Sequence, residues 1–544
     1  MSGGHRARLA PGLVVLLVGL GYFASYMAYG FAYDEGYLLD SVERIMDGQV
    51  IYRDFHHTYA PGSFYLVAAL FKVLGHNILV ERAVFAALEA LKCLLGFLIV
   101  RTVCRCRFAY LAPILMMIAP GPWHKVFFPA FGFLALYAVL AAVRDSRWFV
   151  ASGAVVGLAA LFRQDVAGFA LVAVLAGLLI ENLRLGRGVA PAARGLALVA
   201  VGAAAVVGPV VAYFAGQHAL GPMIHKITVD GMLDNMTNRI PFPGLAARTG
   251  VDGGYIAYVL PMKALFYLPF MAYAGAAALI GKALVRRTWS AGTTSLVLVL
   301  AASVLAFNQS AWRSDVGHLL QTMQYAFLLL PIVVWRLCGS VARGLGLAAG
   351  GRRALDVAVS VAACAAVFWA TFAGLRSTSD AALAQRFRGE GLSVGDSEYL
   401  GSALVRAGNT ARMDVPRARL HVTPAEADFF LELRRFLETN TGPGEYVLAV
   451  PQLQTVYFLF DRRNPTRYAH YRRRLDPAEE RRYIEDISAR GTRYILLTEP
   501  YQGARIGETS ESFSEYAKPV RDWILANYSA VGRLGWIVIL EKKP

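Results

Sequence analysis

Twelve apolar runs follow one another along the first two thirds of the chain, near residues 11–31, 60–75, 80–100, 107–122, 127–144, 148–162, 166–181, 194–216, 256–281, 290–307, 319–337 and 354–374. A helix needs about 20 apolar residues to cross a bilayer, so most of these runs are expected to be membrane helices. The polar segments between them differ in charge. Segments 182–194, 282–287 and 336–353 are basic, and basic loops stay in the cytoplasm. Working outwards from them, 32–59, 217–255, 308–318 and everything after 374 lie on the opposite, outer face. Three apolar runs separate the 32–59 loop from Trp123–Lys125, yet both come out on that face. Three full crossings cannot do this. Run 60–75 is the weaker one, because Arg101, Arg105 and Arg107 favour a cytoplasmic 101–107. About eleven transmembrane helices are therefore expected.

Two regions carry other patterns. In 35–47, Tyr37, Leu38, Val42, Ile45 and Met46 recur at helical spacing before Gly48, which predicts a short amphipathic helix along the outer membrane surface. Residues 375–544 are much more polar. Thr423-Pro424 opens an amphipathic helix, and the segments from Asp476 and Tyr516 read as helices with proline near their starts. EYVLAVP, TRYILLTEP and GWIVILEKK read as buried strands. This alternation predicts a soluble α/β domain with a largely parallel sheet. The expected organisation is a polytopic helical membrane domain over 1–374 and an extracytoplasmic α/β domain over 375–544.

Composition agrees. The 544 residues are 56% apolar, with a mean hydropathy of +0.45. The net charge of +16 lies mostly in the short loops of the apolar part, as topology requires. No basic stripe with interleaved aromatics points to nucleic acid. The basic N-terminus followed by a spanning-length apolar run reads as an uncleaved first helix with a cytoplasmic start. Ala-, Gly-, Val- and Arg-rich usage suggests a bacterial cell membrane. The five cysteines imply no disulfide framework.

Chemistry concentrates in the first outer loop. Asp34 and Glu35 follow the first apolar run, and Arg53, Asp54, His56 and His57 come twenty residues later. A carboxylate at the membrane surface can take a proton from a hydroxyl. Arg53, His56 and His57 can meet an anion. The two acids read equally well as caps of the helix that follows. A second segment, Asn308 to His318, holds Arg313, Asp315 and His318. There, Asp315 and His318 share a face if helical, Arg313 can hold a phosphate, and Trp312 can stack on a sugar or lipid. Arg163 and Asp165 form a tight link that reads as a solvated turn or as support for the site. Lys125, in Trp123-His124-Lys125, reads as a snorkelling helix end or as further support. The long 217–255 loop suits a lid.

The first-loop constellation resembles a family. An acidic pair after the first helix precedes an amphipathic helix, an Asp-Gly-x-x-x-Tyr-Arg-Asp-Phe stretch (47–55) and a Pro-Gly (61–62) opening the next helix. This is similar to the GT-C glycosyltransferases, near the protein O-mannosyltransferases and aminoarabinose transferases. The resemblance covers roughly residues 10–340. It implies inverting transfer of a sugar from a polyprenyl-phosphate donor to a glycan, lipid or protein acceptor of the cell envelope, on the extracytoplasmic face. It places the catalytic acid at Asp34, with Glu35 beside it. Arg53, His56, His57 and Arg313 would hold the donor phosphate, with Asp54, Asp315, His318, Arg163 and Lys125 in support. Tyr59-Ala60-Pro61 stands where the aminoarabinose relatives have Lys-Pro-Pro, so the family's phosphate-binding lysine is absent there. The resemblance names no certain cofactor; a divalent cation held by Asp34, Glu35 and Asp54 is left open. The alternative is a transporter or flippase for a lipid-linked sugar, with Glu89 and Lys92 as an intramembrane pair.

Overall fold

The apolar runs are helical in the computed structural model of the chain. It describes residues 3–31, 34–104, 106–233, 240, 242–244, 260–382, 406, 409–451, 453–469, 471, 474–498 and 513–544. In chain order the first helices are α1 (Gly3–Ala24), α2 (Glu35–Met46), α3 (Gly62–Leu74), α4 (Ile78–Val103), α5 (Leu111–Ile118), α6 (Phe127–Arg144), α7 (Phe149–Phe162), α8 (Gln164–Arg184), α9 (Ala190–Gly216) and α10 (Leu220–His225). They continue with α11 (Leu260–Val285), α12 (Ala291–Trp312), α13 (Val316–Gly344) and α14 (Ala349–Ala382). Among the described residues, eight helices are long and apolar enough to cross a membrane, and four apolar helices are shorter. The chain is a multi-pass membrane protein.

One of the four shorter helices does not cross. The 13 residues of α3 extend about 20 Å, against a hydrocarbon core of about 30 Å. Both its ends touch the same layer. Gly62 lies so close to the end of α7 that an added Cβ would sit 2.6 Å from the Leu161 carbonyl. Just past its far end, His76 Nδ1 lies 2.9 Å from Glu43 of α2, and the Ile78 amide donates to the Arg417 carbonyl. Besides α3, the shorter apolar helices among the described residues are Ala10–Ala24, Arg107–Ile118 and Ser146–Phe162. We call the side that bears α2 the capped face.

The C-terminal region caps it. Strands β1 (Ala411–Val415) and β2 (Ala418–Val422) form a hairpin, followed by α15 (Pro424–Asn440), β3 (Val447–Val450), α16 (Thr455–Phe460), α17 (Pro477–Ala489), β4 (Tyr494–Leu497), α18 (Phe513–Tyr516), α19 (Lys518–Asn527), β5 (Tyr528–Leu534) and β6 (Ile537–Lys542). The main sheet has the order β3-β4-β6-β5. The expected largely parallel sheet is corrected: only β3 and β4 run parallel, and β6 is antiparallel to both β4 and β5. Two residues, Gly535 and Trp536, separate β5 from β6, and Gly535 has φ +53°. A two-residue turn can only return an antiparallel strand.

Helix α2 is wedged rather than laid on the membrane. Leu38, Leu39 and Val42 are buried, and α2 packs on α3 and α16. An added Cβ on Gly36 would lie 2.5 Å from the Thr455 nitrogen, so only glycine allows this approach. Buried residues of the capping region, including Leu420, Phe430 and Phe458, are continuous with the core of the bundle.

Thr423 and Glu426 form a capping box that opens α15. Glu426 Oε2 accepts from the Thr423 amide and hydroxyl at 3.1 and 2.8 Å. Its Oε1 is buried with no hydrogen-bond partner among the described residues. Burial pushes the Glu426 carboxyl up to about 7. The folded state therefore holds a proton that the unfolded chain releases above about pH 4.3, and stability falls as pH rises from there to about 7. Glu426→Gln keeps the acceptor oxygen and removes the charge. We expect it to unfold at a higher temperature than wild type at pH 8, by about 1–3 kcal/mol, with the difference vanishing near pH 4. Thermal unfolding of the full chain in detergent checks this; equal midpoints at pH 8 would exclude Glu426 as the titrating group.

Candidate active site

Asp34 immediately precedes α2 and makes no capping hydrogen bond to it. Its side chain is 43% exposed, and Oδ2 lies 3.7 Å from His124 Nε2. Its neighbour points elsewhere. Glu35 is fully buried and takes a two-pronged contact from Arg82 of α4, with Nε to Oε1 at 3.0 Å and Nη2 to Oε2 at 2.8 Å. The acidic pair is thus split: Asp34 is half-exposed beside His124, and Glu35 is buried on Arg82.

His124 and Lys125 are presented by an irregular stretch between α5 and α6. Inside an apolar bundle, non-helical backbone needs partners. Gln324 of α13 donates to the Ala119 carbonyl at 2.7 Å, and Lys92 donates to the Pro120 carbonyl at 3.1 Å. Lys92 is also paired with Glu89 at 2.5 Å. The intramembrane pair expected of a transporter therefore anchors this turn. Gly121 bends it with φ +89°, and Trp123 packs between Tyr26, Phe23 and Phe85.

Lys125 meets the second polar segment. Its Nζ lies 3.1 Å from His318 Nε2. His318 Nδ1 lies 2.8 Å from Asp315 Oδ2, and Arg313 Nε donates to the same oxygen at 2.8 Å. A lysine ammonium can only donate, so Nε2 accepts and Nδ1 carries the proton that bonds Asp315. Asp315 also caps α13, its Oδ1 accepting from the His318 amide at 2.8 Å. Burial opposes its charge, but His318, Arg313 and Lys125 prevail and hold its carboxyl well below the usual range. The expected 308–318 loop is only three residues long here, Arg313 to Asp315, between α12 and α13. Ile240 bridges onto it, its amide donating to Trp312 and its carbonyl accepting from Ser314, both at 3.2 Å. Residues 234–239, 241 and 245–255 of the expected 217–255 lid lie outside the described residues.

A second network lies beside the first. Arg163 grips Asp165 with Nε to Oδ1 at 3.1 Å and Nη2 to Oδ2 at 2.7 Å, and stands over the rings of Phe128 and Tyr59 at 4.8 and 5.8 Å. Asp165 accepts from Gln309, which in turn accepts from Gln321 at 3.0 Å. The link that reads as a solvated turn is largely buried, its Arg163 side chain only 15% exposed.

The remaining first-loop cations are engaged elsewhere. Arg53 holds Asp54 with two bonds of 2.9 Å and reaches Gln217 of the α9 end at 3.2 Å. Those bonds, together with the Val50 amide, hold the Asp54 carboxyl below its ordinary range, against a smaller effect of burial. The His56 amide donates to the Arg467 carbonyl, and its ring meets Tyr468 edge-on. His57 is buried, its Nδ1 accepting from the Tyr59 amide at 3.2 Å. Asp34, Glu35 and Asp54 do not converge, and among the described residues no three His, Cys, Asp or Glu side chains gather to hold a metal.

No family model and no curated protein matches the sequence. Solved structures do. The apo crystal structure of ArnT from Cupriavidus metallidurans superposes with a TM-score of 0.52 at 15% identity, covering 99% of this chain and 98% of that one. The chain shares the fold of ArnT. ArnT of the same organism bound to undecaprenyl phosphate matches with a TM-score of 0.48 at 16% identity, over 99% and 98% of the two chains. The Archaeoglobus fulgidus oligosaccharyltransferase, in complex with zinc and sulfate, matches with a TM-score of 0.44 at 12% identity, over 97% and 72%. Within this ArnT-like fold the polar cluster lies on the capped face.

Asp315 is the centre of that cluster, so breaking it should loosen the link. We expect Asp315→Asn, which keeps a capping oxygen but loses the charge, to destabilise the protein by about 1–3 kcal/mol at pH 7. Because the folded carboxyl is depressed, its stabilisation is present above about pH 3.9 and lost below it. The gap in thermal midpoint between variant and wild type should therefore narrow as pH falls below 4. A constant gap from pH 7 to pH 3 would contradict the assignment.

Proposed function

We propose that the protein is an inverting glycosyltransferase that moves a sugar from a polyprenyl phosphate to a cell-envelope acceptor on the extracytoplasmic face. The observation that carries this reading is the pairing of a half-exposed carboxylate, Asp34, with a neighbouring group of basic side chains, of which Lys125 and Arg313 are cations. His124 stands beside Asp34, and Lys125, His318 and Arg313 surround Asp315. A GT-C fold supports it, as does the undecaprenyl phosphate that ArnT of Cupriavidus metallidurans binds.

In this mechanism Asp34 accepts the proton of the acceptor hydroxyl. The hydroxyl oxygen attacks the anomeric carbon from the side opposite the phosphate. The bond from that carbon to the phosphate oxygen breaks, and its electron pair leaves with the lipid phosphate. Lys125 and Arg313 meet that growing negative charge, where partial burial makes each contact stronger than in water. Arg offers a flat fork to phosphate oxygens and Lys a compact charge. Arg163 supports the site through Asp165, which accepts from Gln309, and stands over the rings of Phe128 and Tyr59. Lys125 adjoins His124, which stands beside Asp34, and is linked through His318 and Asp315 to Arg313, so the phosphate contacts are assigned to Lys125 and Arg313 first. The capped face is the extracytoplasmic one in this reading, with 1–374 as the membrane domain and 375–544 as the capping domain.

The test is sugar transfer by membranes carrying wild type or Asp34→Asn at equal, folded levels, with a panel of polyprenyl-phosphate sugars and a cell-envelope acceptor extract. Wild type is expected to transfer a sugar, and Asp34→Asn to be slower by at least about 100-fold. Lys125→Ala is expected to weaken turnover without restoring it at high donor. If Asp34→Asn keeps the wild-type rate, the base lies elsewhere. If wild type transfers nothing across the panel, the reading itself fails.

A further inference from the structure

A base must be held still, yet the chain from α1 to Asp34 passes through an irregular turn. Two separate parts of the molecule grip that turn. From within the bundle comes Arg82, whose side chain is almost completely buried. Its Nη1 donates to the carbonyls of Met27, Tyr29 and Gly30 at 3.0, 3.3 and 3.0 Å. Its Nε and Nη2 hold Glu35. One guanidinium thus ties the backbone before Asp34 to the side chain just after it. A planar fork with five donors suits this task, and an ammonium does not.

From the capping region comes β2. The His421 amide donates to the Ala28 carbonyl at 2.7 Å, and its carbonyl accepts from the Gly30 amide at 2.8 Å. These two bonds make a parallel bridge to Tyr29, and the His421 ring stacks on the Tyr29 ring at 4.7 Å. A strand residue directs its amide and carbonyl to one side. His421 directs both at the turn, so neither belongs to the β1–β2 ladder.

We propose that Arg82 and strand β2 form a two-sided clamp that positions Asp34, which makes the capping region a working part of the active site. This rests on the reading of Asp34 as the base. Glu35 is then a positioning residue, acting on Asp34 through Arg82. Movement of a base by about 1 Å can cost about 100-fold in rate, so a loosened clamp should slow turnover while leaving donor binding at Lys125 and Arg313 intact.

The test uses the full chain. Arg82→Lys removes the fork. His421→Pro removes the bond to Ala28 without touching the hairpin ladder, whereas His421→Ala keeps it. Arg82→Lys and His421→Pro are expected to lower turnover about 10- to 100-fold with donor KM within about twofold of wild type. His421→Ala is expected to be at least about tenfold faster than His421→Pro. Hydrogen exchange of the amides in 28–37 should rise in the two clamp variants and not in His421→Ala. Should either clamp variant fail to fold, Glu35→Asp, which retracts the carboxylate by one methylene and keeps its charge, replaces it with the same expected turnover loss. Wild-type turnover in the clamp variants, or an equal loss in both His421 variants, overturns the clamp. If wild type moves no sugar, the proposed function fails on its own, and exchange alone decides: protection of 28–37 undiminished in the clamp variants overturns the clamp.

Discussion

A charge in a dry helix bundle must be paired, and the rest of this structure depends on that constraint. Removing an ion from water costs several kcal/mol unless geometry and extra hydrogen bonds compensate. Three ion pairs of the bundle also support irregular backbone. Arg82 with Glu35 stabilises the turn after α1, and Lys92 with Glu89 stabilises the turn before α6. Arg313 with Asp315 shapes the link into α13. The polar cluster is therefore not laid on a finished bundle. The same pairs that make the breaks in helical structure tolerable also fix where the exposed groups stand.

The capping region enters this arrangement through main-chain contacts more than through charge. His421 pairs with Ala28 and Gly30, His56 with Arg467, and Ile78 with Arg417. Helix α2 fills the space between membrane layer and cap, its apolar stripe turned onto α3 and α16. A 12-residue amphipathic helix of this kind gains little stability alone. Here it is held by burial on both sides, which gives Asp34, at its start, a rigid support.

Much of this was legible in the pattern of residues. Long apolar runs announce membrane helices because each must satisfy its own backbone in lipid. The failure of 60–75 to cross follows from counting faces. Strands β3, β4 and β6 show as short continuous apolar runs. In contrast β5 hides, since most of its residues are exposed, and the direction of β6 depends on a turn at Gly535 rather than on its own residues. In the site, Asp315 and His318 are legible because one helical turn joins them. Lys125 with His318 is not, because 193 residues separate them. Nor is Glu35 with Arg82, 47 residues apart, where the local pattern suggests a second site acid. His124 reads as a solvated end until the turn at Gly121 brings it beside Asp34.

The short return of α3 has a consequence of parity. Had 60–75 crossed, the chain would pass between the faces an even number of times before the cap. The C-terminal region would then emerge on the face opposite α2, and β2 could never reach Tyr29. One helix that begins and ends on the same face makes the count odd. It thereby decides that the last part of the chain and its first polar loop share a compartment. Lengthening α3 by two turns would not merely thicken a layer; it would set the two in conflict over which side of the membrane they occupy.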